Sequence, residues 1–172
     1  MPSTQPLRHI DQVFLDAERL FRRVGIQNLK PDGKATFLAF ELPDMSVTRE
    51  RCAGAEEARK GFRPEEWGVV SLLAGDLPPR EVVLHHSHSY FFRARHVPEV
   101  GVFAHSEVRI WREDGEDQVL VTNRPLDKCS PDDPDREIPR TAPAALDPQF
   151  HMKWRKRIEW RCKPELKPDT AA

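Results

Sequence analysis

No stretch of this 172-residue chain approaches the roughly 18 consecutive apolar residues of a membrane-spanning helix. No apolar run near the N-terminus suits a signal peptide. A protein of the cytoplasm with no membrane contact is expected. Cysteine is scarce: Cys52, Cys129 and Cys162 are widely spaced and form no CxxC pair. An odd count does not make a disulfide framework, so reduced thiols are expected. Charge of one sign is also lacking. The net charge of −1 excludes a global field that would steer DNA or acidic substrates, and any basic patch must be local. The chain has no G-x-S-x-G, no P-loop and no dinucleotide fingerprint, so no cofactor is expected. Hydrophobic residues at 38% and charged residues at 32% point to a modest core under a heavily charged surface.

Periodicity sorts the chain into elements. In "HIDQVFLDAERLFRRVG" the apolar positions Ile10, Val13, Phe14, Ala17, Leu20, Phe21 and Val24 have the spacing of an amphipathic helix, closed by Gly25. "ATFLAFELP" reads as a short buried strand and "AGAEEARKGF" as a short helix. Strands follow at Trp67–Leu73, at Glu81–His96, at Gly101–Arg112 and, after the turn "EDGED", at "QVLVT". Short connections make these an antiparallel meander. Five prolines and few apolar residues between Asn123 and Leu146 read as an extended arm. Asp147 and Pro148 are a good cap and first residue for a last helix. The expected fold class is α+β: a meander packed by an N-terminal helix over residues 8–122, a proline-rich arm over 123–146 and a basic amphipathic helix over 147–163.

Five of the seven histidines fall between His85 and Glu107. Alternation puts His86, His88, Tyr90, Phe92 and His96 on one strand face. His86 and His88 could share a metal. With Glu41 upstream, "HSH" resembles the JAMM metalloproteases, but Ser89 stands where proline should follow. No metal is expected. His105 and Glu107, two apart on a strand, point to one face, where a carboxylate can orient an imidazole. With Arg93 they form the candidate catalytic set. On the last helix, Phe150, Trp154 and Ile158 make an apolar stripe, and Arg155, Lys156 and Arg157 lie among the basic residues around it. The stripe would dock on a core or on a protein partner, and the basic face with its tryptophans would admit nucleic-acid phosphates and bases.

The segments "AFELPDMSVTRERC", "EEWGVVSLLAGDLP" and "RHVPEVGVFAHSEV" resemble a family of small uncharacterised bacterial proteins. That family's P-x-x-S-V, G-V-x-x-L-x-A-G and A-H-S-x-V segments would fall on Pro43, Ser46 and Val47, on Gly68, Val69, Ala74 and Gly75, and on Pro98, Ala104 and His105. The resemblance implies no assigned activity. The chain is expected to be a non-catalytic, macromolecule-binding module. The alternative is a small phosphoesterase or nucleotide-acting enzyme built on His105, Glu107 and Arg93.

Overall fold

The structure, a computed structural model, describes residues 12–77, 81–83, 88–99, 101–143 and 148–170. Among the described residues the strands are β1 (Arg19–Gly25), β2 (Met45–Arg49), β3 (Trp67–Leu73), β4 (Glu81–Val83), β5 (His88–His96), β6 (His105–Asp114), β7 (Asp117–Val121), β8 (Arg140–Thr141) and β9 (Lys163–Leu166). The helices are α1 (Ala55–Arg59) and α2 (Pro148–Arg161). All the strands join one sheet in the order β4-β5-β6-β2-β1-β3-β9. β7 joins the β2 edge of β6, further along that strand, and β8 runs parallel to β7. None of these helices is long and apolar enough to cross a membrane.

The fold is mostly β with a C-terminal helix, and the expected N-terminal helix is absent. Its second half is β1, hydrogen-bonded between β2 and β3. Leu20 and Val24 enter the main core on one face of the sheet, while Phe21 packs with Ala58 and Val69 on the other. A strand covered on both faces loses its alternation, and the spacing of "LFRRV" then imitates a helical stripe. The expected strand in "ATFLAFELP" is instead a 3₁₀ turn at Phe37–Ala39, with Phe40 buried in the core. In place of the single strand expected over Glu81–His96 there are β4 and β5, which pair antiparallel with each other. The β5-β6-β7 meander is present, closed by a two-residue turn at Gly115, whose φ of +65° suits glycine.

α2 lies across one face of the sheet. Phe150, Trp154 and Ile158 join Tyr90, Phe92, Val108 and Ile110 in the main core. On the opposite face α1 covers Phe21 and Val69, and Ile138 covers Phe91, Trp111 and Leu120. The segment expected as an arm therefore lies on the sheet over its described part. Asp133 and Asp135 are buried there, and Arg140 and Thr141 pair with Leu120 and Val121.

Candidate functional site

Alternation along β6 turns Glu107, Arg109 and Trp111 away from the main core. Arg109 sits where β6 changes partner: Val108 faces Met45 of β2, and Ile110 faces Val121 of β7. Its guanidinium donates to Glu107 Oε2 at 2.8 and 2.9 Å, to both Asp133 oxygens at 2.7 Å and to Asp135 at 2.8 Å. Arg95 donates to Asp135 at 2.6 Å, and Arg124 Nη1 lies 2.7 Å from Glu107 Oε1. Glu107, Arg109, Asp133 and Asp135 are all at most 5% exposed. Three guanidiniums thus meet three carboxylates in a closed cluster, which fastens the 123–139 strap to the sheet. Burial alone would lower the pKa of Arg109, but its bonds to Asp133 and the charge of Glu107 outweigh this and raise it. Burial opposes ionisation of Asp133 as well. The Arg109 hydrogen bonds outweigh that, and the carboxyl sits below its ordinary range.

This gives an acid signature. A carboxyl with a depressed folded pKa stabilises the fold above its unfolded value of about 3.9, and that stabilisation is lost as pH falls through the folded value. Stability is therefore expected to drop below about pH 4, and Asp133→Asn to flatten the drop. Urea midpoints measured between pH 6 and pH 2 check this. An unchanged acid limb in Asp133→Asn would count against it.

Beside the cluster is an open cleft of about 420 Å³, within the usual range for small-ligand sites. Its lining includes Lys60 and Phe62, Glu99 and Val102, and Phe21, Arg23, Ser46, Thr48 and His105. His105 Nδ1 lies 2.7 Å from the Val97 carbonyl. A carbonyl only accepts, so Nδ1 carries the hydrogen and Nε2 is the acceptor. Nε2 faces the Ser46 hydroxyl at 3.4 Å. The Glu99 carboxylate is 3.7 Å from Nδ1.

Two arginines of β1 complete the cleft. The β1–β2 ladder stops at Phe21↔Thr48. Beyond it Arg22 donates to the carbonyls of Ser46 at 2.9 Å and Ala39 at 3.2 Å. The Arg23 guanidinium lies over the Phe62 ring at 3.3 Å, and its buried Nε has no partner. Among the described residues no carboxylate forms an ion pair with either arginine, whereas Lys60 is paired with Glu57 at 3.6 Å. Burial pushes the pKa of both guanidiniums down. Arg23 is a cation partly removed from water without an anion, whereas Arg22 is held by two carbonyls and has the charge of Glu41 nearby.

The three residues of the expected catalytic set do not meet in one open site. His105 lines the cleft. Glu107 is sealed between Arg109 and Arg124. Arg93 is exposed, with its guanidinium 4.6 Å from the centre of the Phe91 ring. His96 is buried, with Nε2 2.7 Å from the Phe103 carbonyl. His85 and His86 lie outside the described residues. Among the described residues no three His, Cys, Asp or Glu side chains are grouped to hold a metal. On α2, Phe150, Trp154 and Ile158 face the chain's own core. Arg155 donates to the Phe37 and Leu38 carbonyls at 3.2 and 3.3 Å, Lys156 approaches the Phe37 ring, and Arg157 lies over Trp154. Sequence reasoning missed Ser46, Arg22 and Arg23. The signal available for the arginines was two adjacent cations in a strand with no acid beside them.

No family model, no curated protein and no solved structure matches the chain.

Proposed function

We propose that the protein is a non-catalytic binding module whose cleft receives an oxyanion, phosphate or carboxylate, carried by its ligand. The observation that supports this reading is Arg23, partly buried over the Phe62 ring with no carboxylate paired to it among the described residues. A partly desolvated guanidinium without a counter-ion is costly, and an incoming oxyanion removes that cost. The Ser46 and Thr48 hydroxyls supply neutral donors beside the charge. His105 in its protonated form would add another.

Calorimetric titration with phosphate, pyrophosphate and a dicarboxylate tests the reading. Saturable binding of at least one is expected. Arg23→Gln should weaken it at least about tenfold, because a hydrogen bond to a charged group contributes about 1.5–3 kcal/mol. Failure of the native protein to bind any of the three would overturn it. The Ser46–His105 contact supplies the enzyme outcome: covalent labelling by a fluorophosphonate, lost in Ser46→Ala, would replace binding with nucleophilic catalysis.

A further inference from the structure

α2 has a second face, which the main core does not use. Trp160 is 82% exposed, the most exposed large hydrophobic residue among the described residues. It borders a hollow of about 490 Å³ with Phe37, three lysines (Lys30, Lys34 and Lys156) and two acids (Asp32 and Glu159). The α2 sequence carries five basic residues and one acid, Glu159. That acid is neutralised internally: Lys30 donates to it at 2.6 Å, and it also accepts the Phe37 backbone N–H. Lys34 and Lys156 form no ion pair among the described residues, and the Lys156 ammonium stands 5.9 Å from the Phe37 ring centre. Arg161 is paired with Asp76 at 2.7 Å, so the cations this face offers at the hollow are Lys34 and Lys156, against the one carboxylate of Asp32.

We infer that this face binds single-stranded nucleic acid. An indole open to water on a basic surface provides a stacking platform for a base, and every base has a π-face. Lysines on both sides of the hollow would hold the phosphates that flank a stacked base, by charge and without sequence preference. Duplex DNA keeps its bases paired and stacked, so it would lose the Trp160 contribution and be held only through its phosphates. An acidic peptide would use the lysines but would not need the indole.

Fluorescence polarisation of labelled oligo-dT and oligo-U of twelve nucleotides, at 50 and 200 mM salt, tests this. Saturable binding is expected, falling steeply with salt. Trp160→Ala should weaken it about tenfold, in line with loss of one base–aromatic stack. The side chain lies on the surface, so thermal unfolding should be unchanged. Lys34→Glu with Lys156→Glu should weaken binding further and reduce the salt slope. Trp160→Ala should leave phosphate and pyrophosphate binding in the cleft unchanged, because Trp160 does not line it, which separates this face from the cleft. Absence of binding at 50 mM salt would overturn the inference. So would affinity indifferent to Trp160, or tighter binding of poly-glutamate than of oligonucleotide.

Discussion

Trp154→Ala is expected to destabilise the protein by about 3–5 kcal/mol, the usual cost of removing a large aromatic side chain from a packed core. Trp154 is 1% exposed. Its ring meets Phe92 edge-on at 5.9 Å and Phe150 at 6.0 Å, and Phe150 in turn lies 5.2 Å from Tyr90. The tryptophan thus links the helix to the β5 strand. Alanine would leave a void that rigid strands on one side and a helix turn on the other cannot close. The indole nitrogen is buried without a hydrogen-bond partner. Trp154→Phe therefore breaks no hydrogen bond and loses only volume, and should cost clearly less, under about 2 kcal/mol. Urea denaturation of the two variants gives both values. A loss under about 1 kcal/mol for Trp154→Ala would mean that the helix does not dock as the structure has it.

The same helix shows which parts of the fold were legible in the sequence. Phe150, Trp154 and Ile158 recur every four residues after a good cap and an N-terminal proline, and nothing else in that segment competes with a helix. The strands β3, β6 and β7 were legible through β-branched and aromatic content and, for β6, clean alternation. The spacing of apolar residues could not tell what α2 docks on. A stripe of that kind fits the chain's own sheet and a partner equally well before the sheet is known. β1 failed for a related reason. Leu20, Phe21 and Val24 fit one face of a helix, and they also fit two faces of a central strand. The choice was made by β2 and β3, which come later in the chain.

The cleft was half legible. His105 could be placed on the outward face of its strand from alternation alone. Its neighbour Ser46 lies 59 positions earlier, on the strand that pairs with β6. Two of the segments that carried the family resemblance meet here, at Ser46 and His105. The charged cluster was not legible at all. Asp133 and Asp135 stand in "SPDDPDRE", which reads as solvated charge. Only the fold places Arg109 beneath them. Glu107 was chosen as a catalytic carboxylate because it shares a face with His105, and that same face puts it within reach of Arg109 two residues on.

Arg109→Met is expected to destabilise the fold by about 3–5 kcal/mol, because it leaves carboxylates buried without their cation. Arg95 and Arg124 remain, but each reaches only one of the three acids, and Asp133 would have no cation in contact. Arg109→Lys should recover little, since one ammonium cannot reproduce a fork that engages three carboxylates at once. Two further results distinguish unpaired charge from lost packing. First, Arg109→Met combined with Glu107→Leu and Asp133→Leu should restore much of the stability, because apolar replacement of a whole buried ionic group is often neutral or better. Asp135 keeps Arg95 in that variant, and Arg124, partly exposed, can turn to water. Second, the pH dependence should reverse in sign. In the native protein Asp133 has a depressed pKa, so stability falls with acid. In Arg109→Met the deserted carboxyls should have raised folded values, and protonating them removes the penalty, so stability should rise as pH falls from 7 toward about 5. Urea midpoints across that range read the effect, and fluorescence of Trp111, which packs near Ile138 of the strap, reports whether the strap detaches. A triple variant less stable than Arg109→Met, with an acid limb like that of the native protein, would assign the loss to hydrogen bonding and packing of the strap and not to stranded charge.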